Sequence, residues 1–227
     1  MIWCQPAMIA VACKAPLRGA GRTPMAEAMT PPPLRLETLS GDALPPVLPA
    51  LAGLRCTVFA EYPYLYAGDP ASEAEYLATY AASPGAAAVV AFDGETPVGM
   101  ATCQPMAEAH APVRDAFARR GMATEGLCYF GESVLLPAYR GRGAGVGFFA
   151  AREAHARSLG LTAAAFCAVV RNANDPRKPP GYRPLDQFWR NRGYVPRPDL
   201  SCIFHWQEVG DDRETPHSLG FWLKERI

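Results

Sequence analysis

The sequence predicts one mixed α/β domain, and three observations carry that expectation. Over 227 residues, 49% are hydrophobic and 19% charged. That is enough apolar material for a sizeable core, and a balance that excludes global disorder. An apolar run at 127–136 then passes through a glycine-rich turn into a helical stretch at 143–159 and a second strand-like run at 161–170. Upstream, strand-like segments at 86–92 and 97–103 are joined by Asp93-Gly94-Glu95-Thr96, a hairpin signal. A hairpin followed by a strand–helix–strand unit reads as a mixed sheet flanked by helices.

The remaining elements follow in chain order. Residues 1–33 read as a flexible extension, because Gly19, Gly21, Pro24 and Pro31-Pro32-Pro33 cannot build a core. A secretory signal is not expected there, since no Lys or Arg precedes the mildly apolar start and Gln5-Pro6 interrupts it. Ala10-Val11-Ala12-Cys13, faintly like a lipoprotein cleavage site, lacks the same basic start. The domain spans 34–227. It opens with a short strand at 34–37 and a helix over 44–59 with prolines near its start. An aromatic loop (Tyr62, Tyr64, Tyr66) precedes a helix at 72–81, where Ser72 and Glu75 form a capping box. A short helix is expected at 113–120 and another at 185–192, closed by Gly193, with terminal strands at 201–208 and 219–224. On the central helix, closed by Gly160, helical spacing puts Val146, Phe149, Ala150 and Ala154 in the core and Arg152 and His155 in solvent.

Composition also narrows the function. Lys+Arg and Asp+Glu balance at 22 each, so no long-range field would hold a polyanion and nucleic acid is not the expected partner. No apolar run approaches the ~18–20 residues of a membrane span, so no membrane partner is expected. The seven cysteines (Cys4, Cys13, Cys56, Cys103, Cys128, Cys167, Cys202) are odd in number and never spaced C-x-x-C. They read as small core hydrophobes in a reducing, cytoplasmic compartment, without a metal knuckle.

The chemistry concentrates in Glu132-Ser133-Val134-Leu135-Leu136-Pro137-Ala138-Tyr139-Arg140-Gly141-Arg142-Gly143-Ala144-Gly145-Val146. A strand ends, glycines allow close approach to the backbone, and a helix begins with its unpaired N–H groups and positive dipole end. This is an anion site. Arg140 and Arg142 add charge-assisted donors. A Walker loop is excluded because no Lys-Ser/Thr follows the glycines, and the dinucleotide fingerprint fails at Val146.

The spacing Arg140-x-x-Gly143-x-Gly145 closely resembles the acetyl-CoA signature of the GCN5-related N-acetyltransferase (GNAT) superfamily. Residues 135–140 are similar to that family's strand end. Phe188-Trp189-Arg190-Asn191-Arg192-Gly193-Tyr194 stands where the family has an aromatic-glycine-aromatic motif. The resemblance covers 86–194, roughly half the chain. It implies a twisted, mostly antiparallel sheet whose two central parallel strands, 127–136 and 161–170, splay apart. It further implies an acetyl-CoA-dependent N-acetyltransferase acting on a small-molecule amine, without a metal and compatible with a homodimer. The backbone of Ser133, Val134 and Leu135 would pair with pantetheine, and one N–H there would polarise the thioester carbonyl. Arg140, Gly141, Arg142, Gly143, Ala144, Gly145 and Val146 would hold the pyrophosphate. Glu132, where some members place an acid, is the candidate base, with its pKa raised by burial beside apolar neighbours. Trp189 replaces the tyrosine that often protonates the leaving thiolate, and an indole cannot do so. Tyr182, just before that helix, is the candidate acid, with Tyr194 or unaided departure of the thiolate as the alternatives.

Two features bear on the acceptor. Tyr62, Tyr64 and Tyr66 either line its pocket or pack in the core. The long insertion 171–184 carries Arg171, Arg177, Lys178 and Arg183, which either hold an anion (the coenzyme's 3′-phosphate or an acceptor carboxylate) or are merely solvated. A non-catalytic acyl-CoA sensor and a protein N-acetyltransferase are the alternatives.

Overall fold

The computed structural model describes residues 32–227 and the backbone of Ile9–Ala10. The strands are β1 (Ile9–Ala10), β2 (Arg35–Leu39), β3 (Ala87–Asp93), β4 (Thr96–Pro105), β5 (Leu127–Leu135), β6 (Ala163–Val169), β7 (Val195–Gln207) and β8 (Glu214–Lys224). The helices are α1 (Leu48–Phe59), α2 (Pro70–Ala81), α3 (Ala111–Ala118), α4 (Ala144–Ser158) and α5 (Asp186–Arg190). Apart from Ile9–Ala10 and residues 32–33, the extension expected at 1–33 lies outside the described residues.

One sheet runs in the order β2-β3-β4-β5-β6-β8-β7, antiparallel throughout except for the parallel pair β5–β6. Helices cover both faces. Leu51 and Val58 of α1, Tyr76 and Tyr80 of α2, and Val113 and Phe117 of α3 pack on one face with Val90, Met100 and Tyr129. Phe148 and Phe149 of α4 and Trp189 of α5 belong to the other, with Ala87, Val89, Phe130 and Phe166. Phe149 meets Phe130, Phe166 and Tyr194 edge-on or tilted at 5.1–6.0 Å. Truncating such a buried aromatic to alanine costs about 3–5 kcal/mol. Cys103, Cys128 and Cys167 are buried in strands, as expected. Among the described residues no helix is long and apolar enough to cross a membrane.

Several expectations need correction. α2 starts two residues early, because Asp69 is its N-cap, accepting from Ser72 N–H at 2.9 Å. Pro70 sits at N1, where it has no N–H to lose. The buried face of α4 is Ala144, Gly145, Phe148, Phe149, Arg152 and Ala156, while Val146 is 50% exposed. Arg152 is wholly buried. Its guanidinium lies over Phe130 and Phe149 at 4.3 and 4.8 Å and donates to the carbonyls of Phe148, Thr102 and Glu132 at 3.2–3.4 Å. Charge misled the sequence reading, because a long cation with carbonyl acceptors and aromatic walls can enter a core. His155 is half-buried beside the Gly85 carbonyl at 3.1 Å. The terminal strands begin earlier than expected, with β7 continuing through Pro196 and Pro198 by a register shift between Arg197 and Ser201.

Candidate active site

The site is built on irregularities in β5. Opposite β4, Cys103 pairs with Phe130 and Ala101 with Ser133, so β5 spends one extra residue and bulges. Gly131 is required there, since a Cβ would collide with the hydroxyls of Thr102 and Tyr80. The bulge resets the alternation of side chains. Leu127 and Tyr129 before it and Val134 after it face the same helical layer. Toward β6, β5 pairs only at Leu127, Cys128 and Tyr129. Beyond Tyr129 the two parallel strands part, while β6 stays on β8 to Val169. The splay implied by the family resemblance is therefore present. Within it Ile9 and Ala10 pair with Ser133 and Val134 in parallel, and the Ser133 hydroxyl is buried without a partner among the described residues.

Past β5, a 3-10 turn at Pro137–Tyr139 leads to Gly141 (φ 82°) and Gly143 (φ 87°), the N-cap of α4. A Cβ at either would meet nothing within 4 Å, so glycine serves the backbone angle. Val146 N–H is bonded to the Gly143 carbonyl at 2.9 Å. From Gly141 through Gly145, no N–H has a hydrogen-bond partner among the described residues. This row of donors at a helix N-terminus suits a pyrophosphate. The arginines divide. Arg140 is committed elsewhere, donating to the Leu135 carbonyl at 3.0 Å and forking onto Glu61 at 2.8 and 3.1 Å. It fastens the strand end to the turn after α1, so most of its donors are engaged by protein acceptors. Arg142 stacks on Tyr139 at 5.0 Å and reaches the Ala138 carbonyl at 3.3 Å, leaving donors free.

Glu132 lies in different surroundings from those expected. Its carboxylate is fully buried and polar-bonded, paired with Arg55 at 2.7 Å, accepting from Tyr76 OH at 2.5 Å and also from Thr102. Arg55 pairs in addition with Glu73, which accepts from Tyr66 OH at 2.7 Å. Burial disfavours the Arg55 charge, but the two carboxylates outweigh it and raise its pKa. Burial and then Glu132 likewise raise Tyr76 and Tyr80. Glu132 does not line the cavity described next. As arranged, it locks α1 and α2 against the bulge and presents no free oxygen to an amine. Arg55 and Glu73 were missed in the sequence. An arginine on the apolar face of α1, between Leu51 and Phe59, was the available signal.

A cavity of about 360 Å³ opens beside the splay, lined among others by Glu61, Tyr62, Val169, Tyr182, Asp186 and Trp189. Tyr182 is brought there as expected, edge-on to Tyr62 at 4.7 Å. Burial, then Tyr62 and Asp186, push its pKa up to about 12. Trp189 packs on Trp222 at 4.9 Å and Phe166 at 5.1 Å. Of the three tyrosines, Tyr62 and Tyr64 line the cavity, Tyr64 from within the core, whereas Tyr66 is a core residue only. Tyr194 is buried too, donating to Glu153 at 3.1 Å. Glu61 and Asp186, the carboxylates of the cavity, carried no sequence signal that set them apart.

The family assignment follows from this site and its sequence. The profile of the "Acetyltransferase (GNAT) family" matches residues 56–179. The chain belongs to the GNAT acetyltransferase family. No curated protein matches it by sequence. Among solved structures, it resembles a ribosomal-protein-alanine N-acetyltransferase from Brucella melitensis (15% identity, 85% of this chain and 99% of that one, TM-score 0.55). It also resembles a phosphinothricin acetyltransferase from Sinorhizobium meliloti in complex with acetyl-CoA (16%, 85% and 88%, 0.54). A GCN5-related N-acetyltransferase from Kribbella flavida is similar as well (17%, 84% and 97%, 0.52). At these identities the likeness concerns the fold.

Proposed function

We propose that this acetyltransferase moves the acetyl group of acetyl-CoA to the amine of a small-molecule acceptor by direct attack on the thioester. The observation that carries the reading is the row of unpartnered N–H groups, Gly141 to Gly145, where the splayed β5 ends. Pyrophosphate would lie on these groups and pantetheine along Ser133, Val134 and Leu135. β1 pairs on that same edge, so it must leave when pantetheine binds. A neutral amine forms the N–C bond, and an N–H of β5 stabilises the oxyanion. The C–S bond then breaks, with the amine's proton lost to solvent and one proton gained by the thiolate. Tyr182 is the proton donor in this reading, because it lines the cavity beside the splayed strands, edge-on to Tyr62. A cavity of about 360 Å³ admits a small molecule rather than a folded substrate.

A CoA-binding sensor is the second reading, favoured by the sequestered Glu132 carboxylate and by Trp189. Free-thiol release from acetyl-CoA across a broad amine panel separates them. Release dependent on particular amines supports transfer; CoA binding without release supports the sensor.

A further inference from the structure

The insertion 171–184 is a fixed frame. Arg171 donates to the carbonyls of Pro63 and Tyr64 and pairs with Glu208. Arg177 pairs with Asp175 and with the same Glu208. The Asp175 carboxylate caps the Arg177 N–H at 2.9 Å, and Asn172 caps Asn174 in the same manner. Two of the insertion's four cations are thus used to fold it onto the aromatic loop and onto Glu208, just past β7.

The other two are not. Lys178 and Arg183 line the cavity, and neither has an ion pair or side-chain hydrogen bond among the described residues. Across the whole cavity the cations are Arg140, Arg171, Lys178 and Arg183, and the carboxylates are Glu61 and Asp186. Arg140 neutralises Glu61, and Arg171 is neutralised by Glu208. What remains is the two cations Lys178 and Arg183 and one carboxylate, Asp186, close enough to act on the Tyr182 phenol. In a chain with no net charge, a cavity with this surplus is matched to an anion.

We infer that Lys178 and Arg183 form an oxyanion subsite that takes the acidic group of the acceptor, which makes the acceptor an amine carrying a carboxylate, of amino-acid size. Arg183 supplies a planar fork and Lys178 a point charge, both suited to such a group. Asp186 and the Tyr62 and Tyr182 rings complete the lining for the ammonium end and the carbon skeleton. The identity of the acceptor rests on the transfer reading above; the subsite does not. The coenzyme's 3′-phosphate offers the same oxyanion chemistry, and the experiment separates the two sources.

The test uses the full chain and the double substitution Lys178→Gln, Arg183→Gln, both at exposed positions. Melting is followed with α-amino acids, their matched amides and inorganic phosphate, and KM is measured for each substrate. The wild type is expected to be stabilised by the acids and not by the amides. The variant is expected to lose that shift and to raise KM for an acidic acceptor at least about tenfold, a loss of ~1.4 kcal/mol. Its KM for acetyl-CoA is expected to stay within about twofold. If the variant binds CoA more weakly but 3′-dephospho-CoA as before, the oxyanion is the coenzyme's and the acceptor assignment falls. If neither ligand class distinguishes variant from wild type, the subsite itself is overturned. Because the melting shift needs no turnover, a wild type that shows it without transferring acetyl counts against the transfer reading alone.

Discussion

Glu132→Gln preserves shape and removes one charge from the buried network. The carboxylate now pairs with Arg55 and accepts from Tyr76 and Thr102. An amide supplies one acceptor oxygen and an NH2 group, so with the oxygen kept toward Arg55 and Tyr76 the Thr102 hydroxyl must turn from donor to acceptor, and the charge opposite Arg55 is lost. Removing one partner of a buried ion pair costs about 3–5 kcal/mol. Arg55 keeps Glu73, which places the expected loss near the lower end, about 3 kcal/mol. For a chain of this size that is a melting-temperature drop of about 6–12 °C. The assay is thermal and urea unfolding alongside turnover per folded molecule. Turnover is expected to change by no more than a few-fold, since no free carboxylate oxygen faces the cavity. An unchanged melting temperature with a turnover loss of about 10²–10⁴ would refute this reasoning and restore Glu132 as the base.

A chain starting at Pro33 is expected to melt within a few degrees of the full chain, because a two-residue strand adds little, and to bind acetyl-CoA more tightly. Calorimetry checks both; weaker binding would show that the segment completes the site. Tyr182→Phe removes only the hydroxyl and is expected to lower turnover at least about tenfold with KM for acetyl-CoA unchanged. A pKa raised to about 12 leaves the phenol protonated below that value. The rate therefore rises as the amine deprotonates and shows no alkaline fall below about pH 11, so a fall near pH 9 would contradict it. Arg177 lowers the Asp175 pKa to about 2, and at Glu208 burial is outweighed by Arg177 and Arg171, lowering it also. Such groups stabilise above the ordinary carboxylate range and lose that contribution as pH falls through the folded value. Limited proteolysis of the 171–184 insertion is expected to stay slow at about pH 4 and quicken below about pH 3. Rapid cleavage at pH 5 would contradict the clamp.

The elements around the glycine-rich loop were the most legible. Strand 127–135, its Pro137 stop, Gly141, Gly143 and the helix capped by Gly160 follow from local rules, because glycine at positive φ and the apolar run need no distant partner. The splay was expected from family resemblance, whereas the bulge at Gly131–Glu132 depends on β4, thirty residues away, and left no pattern in β5. The same distance hid the fate of charged residues. Nothing local shows that Arg55, Glu73 and Glu132 find one another, or that Arg152 enters the core to meet carbonyls of β4 and β5. Of the four cations in the insertion, sequence could count charge but not see that Glu208 consumes two of them.

The most direct test of the account is titration of acetyl-CoA into the protein and into Gly145→Asp by calorimetry. The substitution puts a side chain and a negative charge into the first turn of α4, beside the unpartnered N–H groups. The account predicts saturable binding to the wild type and an affinity at least about tenfold weaker, or ~1.4 kcal/mol, in the folded variant. Equal affinity in a variant that keeps its melting profile would contradict it.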